Sequence, residues 1–377
     1  MIFLGAGASK IFGTKTMQDL TQDLVKRMSD RGHKKVIDEI LQALKKFGLT
    51  PDFENIYTTL EALANPTEGI KRSGAFTAFL ASRRGFQDFE KHPEYFEVLS
   101  DFRNLIYSEC TILRGKIEEN GSVFDRLFQV FGQRSESRFL PSKTRRSPGS
   151  SREAIVHPSY TIVTTNYDVS VELYHRWKNL TLADGFRATE GYTRELDLGE
   201  YGRLHSSRWL IKLHGSIWQF KQGDKIIQTT QSPESLPIKI SVGEQMMIYP
   251  VGEKPILREP YYSFYSIFKA QPWKTLVTIG YSFRDEPVNV AILDNLEYTP
   301  QSKLIVVTLD PKETIQNLGI LPKSKFDDRV IPVKGSFGDE HVFKKLKLAV
   351  RVGGKERFLL RGREAGLLQR SEVKELM

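Results

Sequence analysis

The chain has 377 residues, 40% hydrophobic and 27% charged, enough for a full domain of about 250 residues plus an inserted or appended unit. Its single cysteine, Cys110, excludes an internal disulfide framework and a zinc site of four cysteines, and suits a reducing, cytoplasmic setting. The net charge of +9 gives a basic surface, yet no signature for sequence-specific nucleic-acid contact accompanies it, no apolar run approaches the ~20 residues of a membrane helix, and Met1 to Leu4 is too short for a signal peptide.

In chain order, Ile2 to Leu4 reads as a very short strand, either complete as it stands or continuing residues upstream of Met1. It runs into Gly5-Ala6-Gly7-Ala8-Ser9. Glycine at 5 and 7 lets backbone approach an anion with no Cβ in the way, and exposed N–H groups at the start of a following helix favour a diphosphate. A glycine-rich turn with no ligand is the plainer alternative. The dehydrogenase fingerprint is not met, because its third glycine would fall at Lys10, and no phosphate loop ending in Gly-Lys-Ser/Thr is present.

Residues from about 16 to 132 read as mostly helical. Thr16 with Asp19 forms a capping box, followed at helical spacing by Leu20, Leu24, Val25 and Met28. Val36, Ile37, Ile40, Leu41, Leu44 and Phe47 make a second stripe, ended by Gly48 and Pro51, and Ile56, Leu60 and Leu63 a third. These are core-packing patterns. Residues 133–152 are polar, basic and broken by two prolines, and read as a flexible loop whose Lys143, Arg145 and Arg146 are available to a partner.

The pattern then changes. Tyr160–Thr165, Trp209–Leu213, Gln245–Tyr249, Thr275–Tyr281, Lys303–Leu309 and Arg329–Val333 are short apolar or β-branched runs, with helical stretches such as Glu286 to Leu296 between some of them. Near-continuous apolar runs suit strands covered on both faces, and alternation with helices implies a parallel sheet. The expected fold is α/β, a Rossmann-like parallel sheet with a helical insertion between the first and second strands. Residues 1–14 and 153–335 would form the sheet domain, 15–132 the insertion, 133–152 the loop, and 336–377 a basic, partly helical tail with a candidate helix from Phe358 to Met377.

Ligands of open α/β sheets bind beyond the strand C-termini, and motifs stand at those exits. Thr164-Thr165-Asn166-Tyr167-Asp168 ends one strand. Neutral Asn166 can hold a water or a ribose hydroxyl, and Asp168 can orient Asn166, cap the next helix or contact a cofactor. Lys212-Leu213-His214-Gly215-Ser216 ends another, and an imidazole there suits proton transfer at a ribose hydroxyl. His33, His92, His157, His175, His205 and His341 lack that setting and read as structural. In Gly280-Tyr281-Ser282-Phe283-Arg284-Asp285, Ser282 and nearby N–H groups can bind phosphate and Phe283 can pack on a ligand; a plain strand-to-helix turn is the alternative. Asp310, in Leu309-Asp310-Pro311, is placed to meet an adenosine ribose, or is a solvated turn residue.

In order, GAGAS, TTNYD, LHG, GYSFRD and a strand ending in LDP resemble the sirtuin-like family, in the branch of prokaryotic antiphage defence proteins. The resemblance runs from residue 2 to about 312, apart from much of the helical block and the 133–152 loop. It implies that Gly5, Ala6, Gly7 and Ser9 form the diphosphate loop, that Asn166 positions water or ribose, and that His214 is the catalytic histidine. Gly280 and Ser282 would form a second cofactor-binding turn, with Thr165, Asp168, Phe283 and Asp310 completing the contacts. The implied activity is hydrolysis of NAD, as substrate, to ADP-ribose and nicotinamide. Thr165 stands where deacylase sirtuins carry Gln, and one cysteine replaces their two zinc-binding pairs; no metal is expected. Those departures weigh against protein deacylation. The alternatives are a deacylase or ADP-ribosyltransferase, and a non-catalytic NAD or ADP-ribose-binding subunit. The resemblance further implies gating by a homo-oligomer or by a HerA-type hexameric ATPase.

Overall fold

The computed structural model describes residues 1–64, 93–132, 160–189, 192–203, 208–222, 225–230, 245–247, 260–320 and 326–352. Strand β1 (Ile2–Leu4) is three wholly buried residues, and α1 (Ala6–Ser9) is a single turn. Then come α2 (Met17–Asp30), α3 (Lys34–Lys46), α4 (Phe53–Ala64), α5 (Pro93–Cys110), α6 (Arg114–Asn120) and α7 (Ser122–Gly132). The capping box forms: Asp19 N donates to Thr16 Oγ1 at 3.3 Å, and the hydroxyl donates to Asp19 Oδ2 at 2.7 Å.

The remainder runs β2 (Tyr160–Thr164), α8 (Ser170–Trp177), β3 (Phe186–Ala188), β4 (Thr193–Leu196), α9 (Glu200–Arg203), β5 (Arg208–Lys212), β6 (Gly215–Gln222), β7 (Lys225–Thr229) and β8 (Gln245–Met247). It continues through α10 (Tyr261–Ala270), β9 (Thr275–Ile279), α11 (Glu286–Tyr298), β10 (Lys303–Thr308), α12 (Pro311–Asn317), β11 (Val330–Lys334) and α13 (Glu340–Val352).

Six strands form a sheet in the order β5-β2-β1-β9-β10-β11, every pair parallel. Numbered by appearance within this sheet, the order is 3-2-1-4-5-6, the doubly wound arrangement whose direction reverses between strands 1 and 4. Here that switch point lies between β1 and β9. Alternation along the strands fills both faces. Ile2, Leu4, Ile162, Val277 and Ile305 pack under Phe124, Phe128, Tyr174 and Leu346 from α7, α8 and α13. Phe3, Val163, Leu276 and Val306 face Phe264, Phe268, Ile292 and Leu296 from α10 and α11.

The helical insertion is thus of two kinds. Helices α6 and α7 cover the sheet, whereas α2 to α5 bury Leu24, Met28, Ile40, Leu44, Ile56, Leu60 and Phe102 in a core of their own. That second core also takes in Tyr167 and Val169, which follow β2, and Ile217 and Trp218, which lie in β6.

One expected strand moves. Residues 245–247 pair with β6 in a separate antiparallel sheet of order β3-β4-β7-β6-β8 rather than joining the parallel sheet; residues 248 and 249 lie outside the described residues. The chain leaves the parallel sheet after β5, enters the antiparallel sheet as β6 immediately after His214, and turns back as β7, with Gln222 opposite Lys225. The 133–152 loop and the candidate 358–377 helix also lie outside the described residues.

Candidate functional site

The two glycine turns meet at the switch point. Gly5 N donates to Ile279 O at 2.9 Å, Gly7 N to Gly280 O at 3.0 Å, and Ala8 N back to Gly5 O at 2.9 Å. A Cβ on Gly5 would stand 2.5 Å from Gly280 O, and one on Gly280 would stand 2.5 Å from Ala8 N. Gly280 also has φ +60°, the left-handed region where glycine alone is unstrained. These glycines therefore let one turn lie against the other. The Gly5 and Gly7 N–H groups expected to face an anion are committed to the neighbouring turn.

Asn166 is tied to the first of these turns. Thr164 Oγ1 donates to Leu4 O at 2.8 Å and accepts from Asn166 N at 3.0 Å, which fixes the chain as it leaves β2. The Asn166 Nδ2 then donates to Gly5 O and to Ser9 Oγ, both at 2.9 Å. With both amide hydrogens engaged, the half-buried Asn166 presents Oδ1, which has no protein partner among the described residues. It is a fixed acceptor, suited to a hydroxyl or a water.

His214 is tied to the second turn. It is 6% exposed, and its Nε2 lies 2.6 Å from Asp285 Oδ2, itself buried at the start of α11. The Tyr167 ring, next to Asn166 in the chain, sits 6.4 Å from the imidazole between centroids. Asp285 completes the GYSFRD motif but was not expected as a site residue. Its contact with His214 spans 71 positions, and no local spacing announces it.

Phe283 departs from expectation. Its ring is 1% exposed and packs on Tyr281 with centroids 4.9 Å apart, so it belongs to the core and is not presented to a ligand. Its backbone has φ +53°, a strained conformation for a bulky residue, and Asn289 Nδ2 holds its carbonyl at 2.7 Å. Ser282 is exposed, and its carbonyl accepts from Asn317 Nδ2 at 3.1 Å.

Asp168 and Asp310 each hold a nearby backbone N–H, and for Asp310 the helix cap was not among the roles read from the sequence. Asp168 Oδ1 accepts from Ser170 N at 2.9 Å, and Asp310 caps α12 through Glu313 N at 3.1 Å. Thr165 and Gly7 are half-buried, and Ala6 is exposed. Beneath the exits, buried Lys212 donates to the Asp168 carbonyl, to Glu172 Oε1 at 3.0 Å and to Ser216 Oγ at 3.2 Å. Burial pushes the Glu172 carboxyl up, with the Lys212 ammonium acting the other way. This hub fastens the loop carrying Asn166 to the strand ends that flank His214. Among the described residues, no group of three or more His, Cys, Asp or Glu is arranged to hold a metal, and no helix is long and apolar enough to cross a membrane.

Comparison with known proteins bears on the same segment. Residues 160–325 match the SIR2-like domain family, a stretch that contains Asn166, His214, the Gly280 turn, Asp285 and Asp310. That match supports a sirtuin-like family, whose members use NAD as substrate. The Gly5–Ser9 loop lies outside it and joins the site through the bonds to Asn166 and the Gly280 turn. Glutathione S-transferase T3 of Arabidopsis thaliana is 27% identical over 119 residues, which cover 29% of this chain and 16% of that protein. The chain thus spans a small part of that relative's length.

Proposed function

We propose that this chain binds NAD over the β1–β9 switch point and hydrolyses its nicotinamide–ribose bond, giving ADP-ribose and nicotinamide. The observation that carries the reading is the placement of Asn166 and His214 at the exits of adjacent strands β2 and β5, each tethered to one of two interlocked glycine turns. The residues fit such a ligand. Asn166 offers an acceptor that no described protein group uses, only small residues occupy positions 5 to 9, and the Ser282 side chain is exposed.

The nicotinamide ring of NAD is cationic and leaves readily. As the bond from the anomeric carbon to the ring nitrogen breaks, the oxygen of water bonds that carbon and one proton is lost. Asn166 Oδ1 holds the water or a ribose hydroxyl by accepting its hydrogen, while Gly5 O and Ser9 Oγ stop the amide from rotating. His214 accepts a proton from the ribose hydroxyl or the water. The diphosphate passes over exposed Ala6 and Ser282, and the adenosine end lies toward Asp310.

Nicotinamide release by purified chain tests this. Asn166→Ala and His214→Ala should each lower turnover by about 10²–10⁴-fold with the thermal midpoint little changed; normal turnover in both variants rejects the assignment. Free ADP-ribose formed without any peptide supports hydrolysis over acyl or ADP-ribosyl transfer, and NAD bound but unchanged would favour a sensor. The resemblance to antiphage proteins extends the reading to NAD depletion in defence, gated by self-association or a HerA-type ATPase. Co-purification with such an ATPase, and a change in NAD turnover on mixing, checks that extension.

A further inference from the structure

We infer that Asp285 is a positioning residue that holds His214 in one tautomer, with the proton on Nε2 and the lone pair on Nδ1. The inference rests on reading His214 as the proton acceptor of the NAD-cleaving site. With Asp285 ionised, its carboxylate can only accept hydrogen bonds, and across the 2.6 Å contact the imidazole is then the donor. Both side chains are buried, at 8% and 5% exposure, which keeps water from substituting for either partner. The neutral ring then carries its basic lone pair on the opposite edge, at Nδ1.

The surrounding turn is built for this contact and not for helix capping. Asp285 occupies the N-cap of α11, where a carboxylate ordinarily accepts from the first turn of its own helix. Here no side-chain cap bond forms, and the carboxylate reaches instead to His214. The strained Phe283 backbone lies two residues upstream, pinned by Asn289 Nδ2. Tyr265 Oη donates to Pro287 O at 2.9 Å on the other side, so the segment bearing the carboxylate is held at both ends. Strained backbone maintained in this way is characteristic of sites where a side chain must be aimed.

Histidine-selective ¹⁵N NMR of the whole chain reads the tautomer directly, with His214 assigned by its loss in His214→Gln. The expected wild-type pattern has the proton on Nε2. In Asp285→Asn, an isosteric change whose amide can donate, the proton should move to Nδ1 and kcat should fall by roughly 10²–10⁴-fold with little change in KM. Asp285→Gly supplies a second variant, and added formate should restore at least about tenfold of its lost turnover by replacing the carboxylate. An unchanged tautomer in Asp285→Asn, turnover near wild type there, or no rescue by formate overturns the inference. Normal turnover in His214→Gln instead brings down the NAD-cleaving reading of His214, while the NMR pattern still decides whether Asp285 sets the tautomer.

Discussion

His175 and His214 are buried almost equally, at 2% and 6% exposure, yet their surroundings differ in kind. His175, on α8, lies among the rings of Phe128, Tyr160 and Tyr174. Its Nδ1 is 2.7 Å from Val171 O, which can only accept, so Nδ1 carries the proton and Nε2 accepts from the Tyr160 hydroxyl at 2.7 Å. Both partners are neutral, and burial pushes His175 down to about 4. His214 faces a carboxylate. Burial alone does not distinguish the two histidines; their partners do, a backbone carbonyl and a phenol for His175 and a carboxyl group for His214.

Exchanging the side chains tests this most sharply. His214→Gln should lower nicotinamide release by about 10²–10⁴-fold, whereas His175→Gln should leave it within roughly threefold of wild type in folded protein. Equal losses in the two would erase the distinction. Gly280→Ala attacks the turn that delivers Asp285. Its Cβ would meet Ala8 N and Gly7 C at 2.5 Å in a left-handed backbone, and urea unfolding should show a loss of about 3–4 kcal/mol. A loss below about 1 kcal/mol would mean that the turns are free to separate.

Acid titration probes the other histidine. The native His175 binds its proton only near pH 4, whereas the unfolded chain binds it near 6.5. Between those values the unfolded state holds more protons, so stability falls as pH drops through this window, by about 3 kcal/mol in total. Denaturation midpoints from pH 7 to 4 should decline more steeply in wild type than in His175→Gln; parallel curves would contradict it. Tyr160→Phe removes the donor to Nε2 and should cost about 1–2 kcal/mol at neutral pH, measured by thermal unfolding.

Much of the parallel sheet is legible in the amino-acid order, because strands covered on both faces become runs of apolar or β-branched residues such as Leu276–Ile279 and Leu304–Val307. The antiparallel sheet is not. Strand β4, Thr193–Leu196, is half-buried throughout and carries Arg194 and Glu195, so neither continuity nor alternation marks it. The Gly223-Asp224 pair was the available signal for the β6–β7 hairpin. At the site, Asn166 and His214 are visible as polar residues where strands end. Asp285 is not, because its contact with His214 is made across 71 positions of the chain. The Phe283 ring turns inward for a comparable reason, since an aromatic in a glycine-containing loop carries no mark of which side it will face.

The clasp between the first loop and the Gly280 turn has a consequence for biosynthesis. Strand β1 sits in the middle of the sheet, with Ile2 paired to both Ile162 and Val277. A ribosome that has made the first two hundred residues has produced the amide and the loop it grips, but neither the imidazole nor the carboxylate that meets it. Assembly of the candidate site therefore waits on sequence far downstream, so in every unfinished copy the amide and the imidazole have yet to be brought to neighbouring strand ends.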